Sequence, residues 1–462
     1  MELEKEWVVQ IDNYLKSNDY ESSSTMEKQK WRKHCIYKIP SCIIEMNKRA
    51  YKPQTVSFGP YHHGKENVMG MEEHKQRALV HFLKRCGKPL ESLFQSMSEV
   101  EQDLRDSYDK QLFVWKEGNH HGKFSKMMIL DGCFMLEVLR IGDCRVDYFA
   151  DYADNDPIFS DHGRLYVMPY IKRDMLMLEN QLPMIVLDKL IEFEGRNTRD
   201  EEFLNKLILQ FFFPGTPPSR SFGKCLHTLD LYRKALLQHS PSHHTVIPKP
   251  TKADKHRGYD DDIIIRSVVE LRESGIRFKL SDTPSLKDIS FNNGILRLPS
   301  IIIDDYTESM FLNLMAFERL HVGAGNEVTS YIFFMDNIID HDVDVAILHR
   351  KGIIVNALGS DKDVAKLFNT LARDVSVDRN NGGLDMVQMS VCRYCRRSWN
   401  RWRANLIQTY FRNPWAIISL VAAFFLFLFT IVQTVFTIVQ FYQPGDDKST
   451  PMSIPRLPPH RP

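Results

Sequence analysis

The sequence lacks the short motifs that identify common classes of enzyme. It contains no Gly-x-x-x-x-Gly-Lys-Ser/Thr phosphate loop, no Gly-x-Gly-x-x-Gly fingerprint, no Gly-x-Ser-x-Gly elbow and no His-Glu-x-x-His zinc motif. The usual sequence evidence for a nucleotide-binding enzyme, an elbow-type hydrolase or a zinc protease is therefore missing. We expect no cofactor.

The chain also lacks an excess of charge of either sign. Its 60 lysines and arginines nearly equal its 59 aspartates and glutamates, which leaves a formal net charge of +1. A protein whose principal partner is nucleic acid usually carries a strongly basic field. We therefore expect no nucleic-acid partner.

Cysteine is scarce, with 8 residues among 462, and the spacing is too wide for a small disulfide scaffold. We expect mostly buried, reduced thiols. A structural zinc site needs four ligands, and the single Cys392-x-x-Cys395 pair supplies half of them. The adjacent histidines do not complete the set, and they are His62-His63, His120-His121 and His243-His244.

Features of secreted proteins are missing as well. Residues 1–18 mix charged and apolar side chains without a continuous apolar core, so we expect no secretory signal peptide there. The chain contains no Asn-x-Ser/Thr glycosylation acceptor. Both observations fit a cytosolic location for most of the chain.

What the chain does contain is a long apolar run near its C-terminal end. No charged side chain lies between Arg412 and Asp446. About 20 helical residues cross a hydrocarbon core of about 30 Å, so residues 415–442 predict one transmembrane helix. The predicted anchor residues are Trp415, Ile417, Ile418, Leu420, Phe424, Phe425, Leu426, Phe427, Leu428 and Phe429.

Basic residues are unequally distributed around this run. Six arginines precede it without an acidic residue among them, and only three basic residues follow it. The positive-inside rule places the bulk of the chain in the cytosol and the Pro-rich tail across the membrane, either the plasma membrane or an endomembrane. The arginines expected to meet anionic lipid headgroups are Arg393, Arg396, Arg397, Arg401 and Arg403. Nearby, Cys392 and Cys395 are candidates for palmitoylation or are unmodified thiols.

Hydrophobic periodicity predicts helices over most of the remaining sequence. Apolar residues at helical spacing begin near Met71, Phe203, Thr307 and Ser360, with Thr198 and Glu201 as a capping box before the second of these helices. Thr307 and Ser360 are predicted to cap their helices.

Short β-prone segments interrupt this pattern between Ile276 and Ile303, with Asn293-Gly294 as a turn. Residues 239–262, which contain several prolines and many charges, predict an exposed loop. The fold class is therefore mainly α, a large helical globular domain with a small β meander, plus one C-terminal transmembrane helix.

Eight sequence blocks resemble, in order, the plant family catalogued as domain of unknown function 247. They are IYKIP from Ile36, YKPQTVSFGPYHHG from Tyr51, LDGCFMLEVLR from Leu130, DMLMLENQLPMIVLDKL from Asp174, LHTLDLYR from Leu226, ELRESGIRFK from Glu270, TESMFLNLMAFER from Thr307 and the run from Asp342 to Leu371. The resemblance implies a helical, plant-specific domain with a C-terminal membrane helix and no established catalytic chemistry. Some relatives lie at grass self-incompatibility loci.

Sequence and resemblance together predict four regions. Residues 1–30 form a variable N-terminal segment, and residues 31–410 form the mostly helical family domain. Residues 415–442 contain the transmembrane helix, and residues 443–462 form the Pro-rich tail.

Several polar side chains stand within apolar runs. Asp131 lies in one such run, and Glu179, Asn180 and Gln181 lie together in another. A buried carboxylate must be paired, hydrogen-bonded or protonated, so these residues form either a structural clamp or an acid/base pair. Asn313 and Glu318 raise the same alternatives, but a separation of five residues places them on different faces of a helix.

Cys133 is the candidate nucleophile, but its apolar neighbours favour an inert core thiol. Its base would be a histidine brought close by the fold, and the candidates are His62, His63, His162 and His227. The stretch from Gly59 to Gly64 predicts a rigid turn, with a docking surface as the alternative.

The leading functional hypothesis is a single-pass, membrane-anchored plant protein that recognises or signals through an unidentified protein partner without catalysis. An enzymatic role stays open, as a membrane-tethered hydrolase or transferase that uses Asp131, Glu179 or Cys133. The resemblance adds pollen–stigma recognition of the self-incompatibility type as a third hypothesis.

Overall fold

The computed structural model describes residues 7–9, 11–12, 33–109, 122–142, 152–195, 202–215, 221–238, 265–373, 383–406 and 414–442. Helices dominate these residues, and the strands among them are short, so the predicted mainly α fold is confirmed. Several predicted features lie outside the described residues: Thr198 and Glu201, the loop 239–262, the histidines at 120–121 and 243–244, Arg412 and the tail 443–462.

The helices are α1 (Ser41–Ile44), α2 (Glu72–Cys86), α3 (Leu90–Glu99), α4 (Glu101–Asp106), α5 (Lys123–Arg140), α6 (Asp161–Tyr166), α7 (Met168–Asp174), α8 (Met184–Phe193), α9 (Glu202–Phe212), α10 (Thr228–Leu236), α11 (Val268–Glu273), α12 (Thr307–Leu320), α13 (Glu327–Ile338), α14 (Asp342–Arg350), α15 (Asp361–Leu371), α16 (Gly383–Cys395), α17 (Ser398–Leu406) and α18 (Pro414–Tyr442). The strands are β1 (Arg277–Leu280), β2 (Ser290–Asn292), β3 (Ile295–Leu298), β4 (Ile301–Ile303) and β5 (Ile354–Asn356). Two 3₁₀ helices cover Glu66–Met71 and Leu178–Asn180.

The chain divides into two compact units. The first unit takes in residues up to 272 and from 276 to 394, and the second takes in residues 273–275 and those from 395 onward. Helices α17 and α18 therefore belong to the second unit. The predicted limits of 31–410 and 415–442 stay predictions.

Helix α5 is the centre of one hydrophobic core in the first unit. All of its residues from Met127 to Arg140 are buried, as expected for a helix that is apolar on every side. It packs against α2, α3, α8 and α9. Gly132 permits close approach to α8, because a Cβ at this position would lie 2.6 Å from Val186 Cγ1.

A second set of helices packs around α12, which contacts α13 and α15. The predicted helix start near Thr307 is confirmed, but its cap differs, because Tyr306 occupies the N-cap position. The Thr307 hydroxyl instead donates to Asp304 Oδ1 over 2.7 Å. Ser360 does occupy the N-cap position of α15, although its side chain makes no capping hydrogen bond.

The strands form a mixed arrangement and not a meander. Asn293 and Gly294 have φ values of 49° and 76° and join β2 to β3 in the predicted antiparallel hairpin. Strand β1, however, pairs in parallel with β3, and β4 pairs in parallel with the distant β5. In β3, Leu296 and Leu298 are fully buried, which suits the middle position in the order β1-β3-β2.

One helix within the described residues is long and apolar enough to cross a membrane. It is the part of α18 from Val421 to Tyr442, and its side chains are exposed. All of the predicted anchor residues fall within α18. A single apolar helix that could span a membrane is therefore present at the predicted place.

Candidate functional site

The backbone from Gln54 to Gly59 crosses the core without joining a helix or strand. Residues 56–59 of this segment are buried. A buried backbone outside secondary structure still needs partners for its N–H and C=O groups. Buried side chains from α2, α5, α7 and the 3₁₀ helix at 178–180 supply those partners.

Asp174, the last residue of α7, binds the start of this segment. Its Oδ2 accepts the backbone N–H groups of Gln54, Thr55 and Val56 over 3.0, 2.7 and 3.1 Å. Its Oδ1 accepts Arg173 Nη2 over 2.8 Å. The fully buried carboxylate is thereby occupied on both oxygens.

Asn180 binds the middle of the segment in both directions. Its Oδ1 accepts the Phe58 N–H over 2.7 Å, and its Nδ2 donates to the Val56 carbonyl over 3.0 Å. Nδ2 also donates to the Asp174 carbonyl over 2.9 Å. Only a side-chain amide offers an acceptor and two donors at one position, which explains why an asparagine stands here.

Asp131 and Lys75 bind the end of the segment as an ion pair. Asp131 Oδ2 accepts the Gly59 N–H over 2.8 Å, and its Oδ1 lies 2.6 Å from Lys75 Nζ. Lys75 Nζ also donates to the Ser57 carbonyl and to Glu72 Oε1, each over 2.7 Å. The side chain of Lys75 is 0% exposed and that of Asp131 is 1% exposed.

These contacts keep Lys75 charged inside the protein. Burial lowers the pKa of Lys75, but the charges of Asp131 and Glu72 outweigh burial and hold the pKa above its ordinary value. Sequence reasoning missed this lysine, although a signal was present. Lys75 lies four residues after Met71 and three before Ala78, on the predicted apolar face of α2.

Glu179, next to Asn180, links a different backbone segment to a histidine. Its Oε1 accepts the Ile39 N–H over 2.7 Å, and its Oε2 lies 3.2 Å from His62 Nε2. His62 Nδ1 lies 2.7 Å from Lys65 Nζ, so Nδ1 accepts and Nε2 carries the ring proton. Burial lowers the pKa of His62 and favours this neutral form.

Gln181 is the last residue of the run, and it binds α10 as well as the backbone that precedes Gln181 itself. Its Nε2 donates to the carbonyls of Met175 and Met177 over 2.6 and 2.8 Å, and its Oε1 accepts the Leu229 N–H over 3.0 Å. The tyrosine at position 108 donates to the Gln181 carbonyl over 2.9 Å.

Asn313 and Glu318 contact different elements. Asn313 Oδ1 accepts the Leu178 N–H over 2.9 Å, and its Nδ2 donates to the Ala50 carbonyl over 2.8 Å. Glu318 Oε1 accepts Arg233 Nε over 2.8 Å and the Val328 N–H over 2.9 Å. The fold therefore brings Asn313, and not Glu318, to the Leu178–Gln181 run.

Cys133 lies in the core of α5, where burial raises the pKa of its thiol well above the ordinary value. Within the described residues no hydrogen bond joins it to a histidine. His62 faces Glu179 instead, and His227 lies at the N-cap of α10. His162 packs its ring against Tyr166 at 4.6 Å.

The other sulfur and metal predictions have mixed outcomes. The cysteines of the described residues are thiols; Cys35, Cys133 and Cys225 are buried, whereas Cys42 is exposed and Cys86, Cys392 and Cys395 are half-buried. In the part of the chain that the structure describes, no three His, Cys, Asp or Glu residues are placed to hold a metal ion. Lipidation of Cys392 and Cys395 stays a prediction.

A second buried ionic cluster was missed by sequence reasoning. Glu137 of α5 accepts Arg140 Nη1 over 2.7 Å and the Tyr152 hydroxyl over 3.1 Å, and it also pairs with Arg85. Glu137 lies within the same apolar run as Asp131. The argument that predicted a partner for Asp131 therefore applies equally to Glu137.

The chemistry available to these groups is restricted by their existing contacts. A general acid or base must reach the proton that it transfers. Asp131 and Asp174 each use both oxygens on groups of the protein itself, and Glu179 holds the Ile39 N–H with one oxygen and lies 3.2 Å from His62 Nε2 with the other. Their arrangement suits holding the backbone in place better than it suits proton transfer to a substrate.

Replacing Asp131 by Asn should remove the buried anionic partner of Lys75 and leave the partly exposed Glu72 as its remaining carboxylate. We expect the free energy of unfolding to fall by about 3 to 5 kcal/mol, the range for breaking a buried pair. Chemical denaturation of the full chain in detergent micelles measures this change. Adding Lys75→Met should recover part of the loss, because it removes a buried ammonium that has lost its buried counterion.

The matched control is Asp103→Asn at the exposed Lys33–Asp103 pair, where the side chains are 51% and 49% exposed. A surface pair of this kind should change stability by roughly 1 kcal/mol or less. Equal effects at Asp131 and Asp103 would contradict a special role for the buried pair.

Stability should also depend on the ionisation of His227. Burial lowers the pKa of His227 from 6.5 to about 4, and its Nδ1 accepts the Asp230 N–H at the start of α10. The unfolded chain takes up this proton first as the pH falls, so the stabilisation present above pH 6.5 is lost progressively toward pH 4.

His227→Asn keeps an N-cap acceptor and removes the titration. The free energy of unfolding, measured by chemical denaturation across this pH range, should fall less steeply in the variant, by up to about 1.4 kcal/mol per pH unit. Parallel curves for the two proteins would show that His227 does not set the slope.

Comparison with known proteins places the chain in a family. UPF0481 protein At3g47200 of Arabidopsis thaliana is 30% identical over 468 residues, which cover 96% of this chain and 95% of that protein. Putative UPF0481 protein At3g02645 of the same plant is 22% identical over 525 residues, covering 93% and 94%. No solved structure matches the chain. The family model DUF247, described as plant protein of unknown function, matches residues 36–429, and the chain therefore belongs to the DUF247 family, as its sequence blocks predict.

Proposed function

We propose that this DUF247 protein is a membrane-anchored recognition protein that acts through protein contacts and not through catalysis. The proposal rests on the observation that its buried carboxylates already bind other groups of the same protein. Asp131, Asp174 and Glu179 each bind backbone N–H groups and a basic side chain, so their burial serves the fold. The partner would then bind the surface of the helical unit.

The composition of that surface supports recognition by contact. Leu165, Tyr166 and Tyr170 on α6 and α7 are exposed although they are large and apolar or aromatic. Tyrosine is enriched in protein interfaces, because one end of its side chain is apolar and the other forms hydrogen bonds.

An enzymatic role has one specific observation in its favour, the chain of contacts from Lys65 through His62 to Glu179. An acid/base relay has the same kind of order, with a histidine between a carboxylate and a second polar group. Two features weigh against it: Glu179 already holds the Ile39 N–H, and no hydrogen bond joins the candidate nucleophile Cys133 to His62 in the described residues. We therefore favour recognition.

The arginines before α18 support a cytosolic position for the helical unit. Arg393, Arg396, Arg397 and Arg403 are exposed, and we propose that they meet anionic headgroups of the cytosolic leaflet together with Arg401. The Pro-rich tail would then lie across the membrane.

Protease protection on intact microsomes tests this arrangement, with one epitope tag before Met1 and another after Pro462. We expect protease to remove the N-terminal tag and to spare the C-terminal tag, because only the tail lies in the lumen. Detergent lysis is the control, and it should expose both tags.

The opposite pattern of protection would contradict the orientation and would favour recognition outside the cytosol, the setting of the pollen–stigma hypothesis. Loss of both tags without detergent, together with release of the chain by alkaline carbonate, would contradict the membrane anchor itself.

A further inference from the structure

The polar residues of α18 lie on one side of the helix. Gln433 and Gln440 are seven residues apart, and Leu426 continues their row. Thr430 and Thr437 form a second row with the same spacing, offset from the first by three or four residues. Residues with these offsets are neighbours on a helix surface, so the two rows form one face, called here the Gln–Thr face.

The opposite side of α18 carries large apolar side chains that suit lipid. Phe424, Phe425, Leu428, Val432 and Val435 are exposed, and none of them belongs to either row. Lipid tails can therefore cover this side at no cost in hydrogen bonds. The polar residues are segregated from it and not scattered around the helix.

The threonines of the face need no partner from outside. The Thr430 hydroxyl donates to the Leu426 carbonyl over 2.8 Å, and the Thr437 hydroxyl donates to the Gln433 carbonyl over 2.8 Å. The side-chain amides of Gln433 and Gln440 have no such bond within the described residues. They are the two groups whose hydrogen bonds a bilayer would leave unmade.

Depth in the membrane separates the two glutamines. Gln440 lies two residues from Tyr442, where the span ends, so its amide can extend to the headgroups. Gln433 lies about 2 Å along the axis from the midpoint of the stretch from Val421 to Tyr442 and about 7 Å from the midpoint of residues 415–442, inside a hydrocarbon core of about 30 Å in both cases. An amide at this depth has no water and must find its partner on another helix.

We propose that α18 pairs in parallel with α18 of a second copy of this chain, with the two Gln433 amides hydrogen-bonded to each other across the contact. The pairing rests on the proposed membrane insertion, since lipid is what deprives Gln433 of water. Copies inserted with the same topology are parallel and present Gln433 at the same depth.

Self-complementarity favours a second copy over an unrelated helix. A side-chain amide carries both donors and an acceptor, so two identical amides related by a twofold axis satisfy each other. A seven-residue repeat keeps both rows at the contact when two helices cross at about 20° in a left-handed pair. Gln440 and Thr437 would then extend the contact toward the end of the span.

Energy transfer between copies in lipid vesicles tests the proposal. Two batches of the full chain, labelled at the N-terminus with a donor or an acceptor, are reconstituted together into vesicles of neutral and anionic phospholipid. Transfer should rise with the ratio of protein to lipid. Gln433→Leu should weaken association roughly tenfold, the upper range for a hydrogen bond between membrane helices.

Val432→Leu is the matched control, since it changes the neighbouring residue off the Gln–Thr face, and it should leave transfer unchanged. Transfer no greater than that of randomly mixed labels would overturn the proposal and leave Gln433 to the helix of another protein. Transfer that Gln433→Leu leaves unchanged would also overturn it, because the copies would then meet elsewhere.

Vesicle flotation distinguishes this failure from failure of the proposed anchor. Chain that floats with the vesicles but shows no transfer contradicts only the pairing. Chain that does not float contradicts both the pairing and the membrane anchoring on which it rests.

Discussion

The structure depends on satisfying the backbone hydrogen bonds of one buried segment that has no sheet to join. From Gln54 to Gly59 the chain passes from the surface into the core, and its residues 56–59 are buried away from water. Asp174, Asn180 and Asp131 replace the neighbouring strands that would otherwise bind such a segment. Each unmade bond at this depth would cost about 1 to 3 kcal/mol, so these side chains are constrained individually.

The side chains that bind this segment are buried polar groups and need partners of their own. An aspartate in the core needs a counterion, which places Lys75 in α2 with its ammonium on Asp131 and Ser57. The run from Leu178 to Gln181 then connects both sets of helices, because Asn313 binds Leu178 and Gln181 binds Leu229. The polar groups that looked most like catalytic residues are thus the ones that hold the helices together.

Local features of the sequence predicted a large part of this architecture. The length of the apolar run predicted α18, and Asn293-Gly294 predicted the β2-β3 hairpin, because both depend on neighbouring residues. The parallel pairing of β4 with β5 could not be predicted, since α12, α13 and α14 separate those strands in the chain.

For the site, the sequence predicted which residues need partners but not which partners they find. Asp131 and Asn180 were recognised as polar groups in apolar runs, yet their contacts with Gly59 and Phe58 lie 72 and 122 residues away in the chain. Lys75 and Glu137 were missed for a different reason: the same rule was not applied to charged residues on the apolar faces of α2 and α5.

Native-state hydrogen exchange of the full chain tests the central claim most directly, because it reports the amides of Thr55, Val56, Phe58 and Gly59 one by one. If buried side chains hold this segment, these amides exchange as slowly as those of α5, and Asn180→Ala releases Phe58 before the others. Exchange of all four at the rate of an exposed loop, with or without Asn180→Ala, would contradict the account.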